Sequence, residues 1–292
     1  MGYKSGRNGC GRGGDAIAFL VEIGQITPQE AGRMRHGGDG PVVPTRRATT
    51  RQEPPLPSPV DRSPVEPPPE LWQKQAGIAV NYWQGRLFSE AGRVGLDWLH
   101  ERGLQDEAIR RFRLGWNDRD RWHDPAKWGL SGGHKVWAAQ GIVIPWFVDG
   151  AVWCVKFRRF DDSGPMGEDK YAMIRDGVPT LFGLDLLTGK RAVVICEGEL
   201  DAVLLHQAAG GLVDVTAIGA KGRRISIPSL VRLLRASAWL LALDADADRE
   251  AKIWADYTPR IRRMKPLQGN DVTEFHQAGG DLRAWVQFHL EF

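Results

Sequence analysis

Cysteine is scarce in this 292-residue chain: Cys10, Cys154 and Cys196 are too few for a disulfide framework. That excludes the stapled secreted scaffolds and fits a reducing compartment, so a cytoplasmic location is expected. No apolar run reaches the ~18 residues of a membrane-spanning helix. The Gly-rich, charged N-terminus carries no signal-peptide pattern, so no membrane partner is expected. Excess charge is also missing: 39 Lys and Arg stand against 36 Asp and Glu, a net of +3. Overall charge therefore points to no polyanionic partner, and any nucleic-acid contact must come from local clusters. The seven histidines show no ligand spacing, and no Ser-His-Asp or Cys-His order is present. What is there is a globular composition, 42% hydrophobic and 26% charged, with length for two domains.

Ten of the eighteen prolines fall between Gly37 and Pro69. Such a stretch buries too little surface to order itself, so 37–69 is expected to be a linker. Before it, Ala16 to Ile23 has helical spacing, and Thr27-Pro28-Gln29-Glu30 reads as the cap of a second short helix. After it, Leu71 to Leu87 and Gly95 to Arg102 read as helices. Ile142 to Phe147 and Ala151 to Phe160 read as strands joined by Asp149-Gly150, a strong hairpin signal. Alternation puts Lys156 and Arg158 on one face of the second strand and Arg159 on the other. Nine of the twelve tryptophans lie between Trp72 and Trp153. Most such residues are core, but Trp116, Trp122 and Trp128 sit among polar neighbours and are candidates for stacking on bases.

The chain is organised around Arg191 to Asp201. Ala192 to Cys196 is a short apolar, β-branched run that stops at Glu197-Gly198, and helical spacing begins at Glu199. This is a buried strand entering a helix, and in open α/β sheets the working groups sit at the strands' carboxyl ends. A second run, Ala238 to Leu243, stops at Asp244-Ala245-Asp246-Ala247-Asp248-Arg249-Glu250. Alternating carboxylates after a buried strand repel unless a cation sits between them, and a hard divalent ion is the usual solution. Asp248 and Glu250 also suit the start of a helix. A third cluster, Gly269-Asn270-Asp271-Val272-Thr273-Glu274-Phe275, reads alone as a turn and cap. Lys221-Gly222-Arg223-Arg224, after a strand from Val213 to Ile218, can cradle phosphates. Arg260 to Lys265 is also basic and is expected on a helix remote from the acidic ends. Asp201 follows Glu197 by one helical turn and faces the same way.

Together the three acidic clusters resemble the Toprim fold, and more closely the RNA-polymerase domain of bacterial DnaG-type primases. The matching motifs are EG-x-x-D, DxD and a later G-x-D segment. The resemblance implies a divalent-metal site of Mg²⁺ or Mn²⁺ formed by Glu197, Asp244, Asp246 and Asp271, with Asp201 beside them. Glu197 serves as ligand or general base. Thr273 replaces an acidic residue common in the family. Upstream, Leu99 to Trp116 and the Lys170-Tyr171…Leu181-Phe182-Gly183 segment also resemble primases, and the latter gives Lys170 a template- or nucleotide-facing role. Lys156, Arg158, Arg159, Lys221 and Arg223 would complete that cationic set. Cys10 to Phe19 resembles the tail of the family's zinc ribbon, but Arg7 stands where a ligand should be. Four ligands are required, so no zinc is expected and Cys10 is a lone remnant.

The implied architecture is α/β: a ribbon remnant (1–36), the linker (37–69), a mixed α+β primase subdomain (70–189) and a Toprim-type parallel sheet flanked by helices (190–292). The implied activity is synthesis of short RNA primers on single-stranded DNA from ribonucleoside triphosphates. Phage, plasmid or mobile-element relatives of this size are expected, without the family's helicase-docking domain, so a replicative helicase would be met through another protein. Two rivals stand beside it: a metal-dependent nuclease of the same fold, and a non-catalytic nucleic-acid adaptor. A topoisomerase needs a nucleophilic tyrosine, and Tyr3, Tyr82, Tyr171 and Tyr257 lie in no such context.

Overall fold

The structure is a computed structural model that describes residues 2–4, 13–15, 21, 26–31, 58–160 and 169–291. The chain divides into two compact units, 1–55 and 56–292. In the first, β1 (Gly2–Lys4) pairs antiparallel with β2 (Gly13–Asp15). A helical turn at 28–31 starts from a capping box, with the Glu30 N–H donating to Thr27 Oγ1 (3.2 Å) and the Thr27 N–H to Glu30 Oε2 (2.6 Å). Cys10 and most of the helix expected over 16–23 lie outside the described residues.

The second unit begins with β3 (Val60–Asp61) and α1 (Glu70–Leu87), which buries Trp72, Ala76, Val80, Trp83 and Leu87 at three- and four-residue spacing. Helices α2 (Arg93–Glu101) and α3 (Asp106–Arg111) follow. Next come β4 (Gly115–Asn117), a small hairpin of β5 (Arg121–His123) and β6 (Val136–Ala138), then β7 (Gly141–Val148), β8 (Ala151–Arg158) and β9 (Tyr171–Met173). The first sheet is antiparallel, in the order β4-β7-β8-β9. Asp149 (φ 52°) and Gly150 (φ 81°) turn β7 into β8, as expected of a tight hairpin.

The second sheet is parallel, ordered β11-β10-β13-β14, from β10 (Ala192–Cys196), β11 (Asp214–Ala217), β13 (Ala238–Ala242) and β14 (Ile261–Arg263). Helices α4 (Glu199–Ala209), α5 (Ile227–Leu233), α6 (Asp248–Tyr257), α7 (Val272–Gln277) and α8 (Leu282–Glu291) accompany it. One core runs through both sheets: Trp146 and Cys154 of the first pack in the same cluster as Val194, Cys196 and Leu240 of the second. The two sheets thus share one hydrophobic interior, which holds the strand ends in place. No helix among the described residues is long and apolar enough to cross a membrane.

Three expectations change. The end of the proline-rich stretch is built into the fold: Val60 is buried, β3 pairs with β12 (Ile225–Ser226), and Arg224 donates to the carbonyls of Ser58 (3.0 Å) and Val60 (2.6 Å). Arg260 to Lys265 is no helix. Thr258 breaks α6 with an extended backbone, and the chain returns as the edge strand β14 beside β13. Of the three tryptophans singled out for contact, Trp116 and Trp128 are core; only Trp122 is exposed. Polar sequence neighbours did not reveal that α1 covers Trp128, whose ring meets Trp72 edge-on at 5.8 Å.

Asp214 opens β11 and ties it to the loop before β10. Its carboxylate accepts the backbone N–H groups of Thr188 (3.0 Å), Gly189 (2.8 Å) and Lys190 (2.9 Å). Burial raises its pKa, but these bonds outweigh burial and hold it below the usual carboxylate range. Stability from a depressed carboxylate is present above its unfolded pKa and is lost as pH falls through the folded one. Asp214→Asn should cost about 2–3 kcal/mol in urea denaturation at neutral pH, with the difference from wild type vanishing in strong acid.

Candidate active site

The strand register builds the site. Cys196, the last residue of β10, pairs with Ala242, the last of β13, so Glu197 and Asp244 leave adjacent strands at the same end of the sheet. Gly198 then caps α4, and a Cβ there would lie 2.6 Å from Asp201 Oδ2; glycine lets that carboxylate close over the strand end. The loop after β13 is pinned by the Ala245 N–H to the Asn270 carbonyl (2.7 Å), which draws the third cluster alongside.

Electrostatics show how crowded this end is. Burial, and next the Asp244 charge, push Glu197 up to about 7. Burial and the Asp271 charge push Asp201 up to about 7, against the pull of two hydrogen bonds from Thr273. Asp244 is raised by burial and by Asp271 and Asp246, while Lys221 and Arg263 oppose the rise. Glu197 Oε2 is buried with no hydrogen-bond partner. These are carboxylates short of positive charge.

The expected residues are gathered, but not equally. Asp201 accepts from the Thr273 N–H (3.0 Å) and Oγ1 (2.7 Å), so Thr273 orients Asp201. Asp271 caps α7 by accepting from the Glu274 N–H (2.7 Å). Asp246 is exposed and takes Lys221 Nζ at 3.3 Å. Asn270 Nδ2 donates to Asp244 at 3.3 Å. Among the described residues, no three acidic, histidine or cysteine side chains converge closely enough to hold an ion by themselves. Glu197, Asp244, Asp246 and Asp271 feel one another's charge at this end of the sheet without closing into a cage. Several of the acids are turned to caps and hydrogen bonds, and like charges do not draw together without a cation.

The cationic set divides likewise. Lys221 is exposed beside Asp246, and Arg223 lies 5.7 Å from the centre of the Trp146 ring. Lys170 is exposed on the segment facing β8. Arg158 is half-buried, within 5.5 Å of the Tyr171 ring centre and 5.7 Å of that of Trp98. Arg159 is only 3% exposed and donates to the Asp169 carbonyl (2.9 Å), so it faces the interior. Lys156 is buried too: it pairs with Glu199 and donates to the Gly219 carbonyl at 2.7 Å.

Sequence reading passed over two groups here. Glu199 was taken only as the helix start, and nothing local marks it as the partner of a residue 43 positions earlier. Arg263 was placed on a remote helix. As part of β14 it donates to the carbonyls of Leu243 (2.9 Å) and Asp244 (2.6 Å), directly under the acidic loop. A three-residue edge strand has no periodicity to read.

A carboxylate raised in the folded state destabilises where it must ionise. Between about pH 4 and about pH 7 the folded chain keeps protons the unfolded chain releases, so this term makes stability fall as pH rises. With divalent ions chelated, Glu197→Gln should stabilise the protein by up to about 3 kcal/mol near pH 8. The gain in urea denaturation should shrink toward nothing near pH 4; a gain independent of pH would contradict the crowding.

No family model matches the chain. It is 25% identical over 272 residues to a DNA primase of Synechococcus elongatus, across 81% of this chain and 37% of that protein. The chain thus spans little more than a third of that relative's length. Among solved structures, the RNA polymerase domain of Mycobacterium tuberculosis primase DnaG, in complex with a double-stranded DNA oligomer with a 6-nucleotide overhang, aligns at TM-score 0.61 and 20% identity, covering 77% of this chain and 82% of that one. A DnaG primase catalytic domain bound to single-stranded DNA aligns at TM-score 0.58 and 19% identity, covering 75% and 78%. With its antiparallel sheet leading into a parallel sheet edged by acids, the chain has the fold of the catalytic core of DnaG-type DNA primases.

Proposed function

We propose that this chain is a DNA-directed RNA polymerase that makes short RNA primers on single-stranded DNA from ribonucleoside triphosphates. The observation that carries this reading is the juxtaposition of Glu197 and Asp244, short of positive charge at adjacent strand ends, beside a loop bearing Lys221 and Arg223. The sequence similarity to a primase supports it, as do the folds of cores seen with DNA.

The donor set suits Mg²⁺ or Mn²⁺ and involves no zinc. Mg²⁺ is commonly held by one or two carboxylates together with water and substrate phosphates, so it needs no all-protein cage. Glu197 and Asp244 would hold it, with Asp246 and Asp271 at the margin. The partnerless Glu197 Oε2 and the raised pKa values of these acids fit such an ion. Bound there, the ion would neutralise charge on the phosphoryl oxygens during nucleotidyl transfer.

The protein's own groups do the rest. Lys221 and Arg223 hold the triphosphate, and Lys170 and Arg158 hold template or nucleotide by charge. Such contacts give affinity without base specificity. Asp201, fixed by Thr273, shares the field of Asp271 and Asp244. We read 70–189 as the strand-holding part and 190–292 as the catalytic part.

Incubation with ribonucleotides, single-stranded DNA and Mg²⁺ or Mn²⁺ tests the proposal. New oligoribonucleotides are expected, and Asp244→Asn should reduce them on the order of 100-fold or more. Shortened template would instead mean a nuclease, and a gel-mobility shift without product an adaptor.

A further inference from the structure

Lys156 was expected to touch nucleotide or template, yet its side chain is 8% exposed and that of Glu199 2%. A buried ammonium must find acceptors for three N–H donors, so its partners show which segments it joins. Besides Glu199, Lys156 Nζ donates to the Gly219 carbonyl at 2.7 Å.

The three groups belong to three segments of the site. Lys156 stands on β8, and Glu199 opens α4 two residues after Glu197. Gly219 (φ 76°) is the turn after β11, and its own N–H donates to the Glu197 carbonyl at 2.8 Å. A Cβ at Gly219 would collide with the Trp146 ring and come within 3.0 Å of Glu199 Oε1, so the turn is packed against the pair. The chain from that turn leads straight to Lys221, which reaches Asp246, and to Arg223. The Trp146 ring centre lies 5.7 Å from both Arg223 and Lys156.

We propose that Lys156 is a positioning residue: its buried ammonium, shared between Glu199 and the Gly219 carbonyl, sets the separation between the Glu197 strand end and the Lys221–Arg223 loop. It touches neither nucleotide nor template. The inference rests on the primer-synthesis reading only for its activity readout.

The decisive variant is Glu199→Gln, which leaves the Lys156 ammonium in place. Mn²⁺ affinity of the full chain is measured by paramagnetic resonance, tryptic cleavage after Lys221 and Arg223 by mass spectrometry under native conditions, and primer synthesis alongside. Positioning predicts about tenfold weaker Mn²⁺ binding, the size expected for a residue behind a metal site, and faster cleavage of the loop. If Lys156 contacted substrate directly, Glu199→Gln would leave both unchanged, and that result overturns the proposal. Folding is controlled with the double variant Lys156→Met, Glu199→Leu, which replaces the pair by apolar groups and should melt near wild type. It should still show the weak Mn²⁺ binding and the rapid cleavage, because the bond to Gly219 is gone. Wild-type Mn²⁺ affinity and loop protection in the double variant would reduce the pair to a fold contact and sink the idea. Should wild type bind no Mn²⁺, loop cleavage alone decides. Should wild type make no primers while the other readouts follow the expectation, the positioning role stands and the primase reading fails.

Discussion

Carboxylates on neighbouring strands repel, and the in-register pairing of β10 with β13 leaves Glu197 and Asp244 no room to separate. The backbone hydrogen bonds of a parallel pair and a core closed on both faces oppose that repulsion. The crowding shows in raised pKa values and in a buried oxygen without a donor. Sites that concentrate like charge in this way trade stability for the capacity to bind what neutralises it. The neighbouring groups answer that excess: Arg263 braces the Leu243 and Asp244 carbonyls just past β13, Lys221 takes Asp246 at the rim, and Thr273 holds Asp201.

The first sheet contributes by fixing rather than by reaching. Of its three expected cationic contacts on β8 and just beyond it, two point inward: Lys156 into the Glu199 pair and Arg159 to the Asp169 carbonyl. A lysine on the inner face of a covered strand must find a carboxylate and a carbonyl, since a lone buried ammonium is far costlier than a paired one. Their interior position follows from the shared core, in which Trp146 and Phe182 bridge to β10 and β11.

Legibility varied with the range of the physics involved. The strand Ala192–Cys196 was readable to the residue because a β-branched run ending in Glu-Gly admits little else. The Asp149-Gly150 hairpin was readable because the turn demands positive φ at both positions. The strand β14 was misplaced because three residues carry no period and Thr258 gave no obvious stop. The anchoring of Val60 was invisible, since its partner Ile225 lies far along the chain and proline-rich surroundings signal disorder.

By itself the sequence determined which carboxylates stand at strand ends, that the fold is α/β, and that three cysteines are too few for a disulfide framework. Those are consequences of local pattern and of residue type. The tertiary structure decided which of those acids stay available. Asp271 went to a helix cap and Asp201 to Thr273, while Glu197 and Asp244 were left facing an unmet charge. It also turned Lys156 from a presumed contact into a buried tie. Burial and pairing between distant segments set the protonation and reach of each side chain, and neither is written in the neighbours of a residue along the chain.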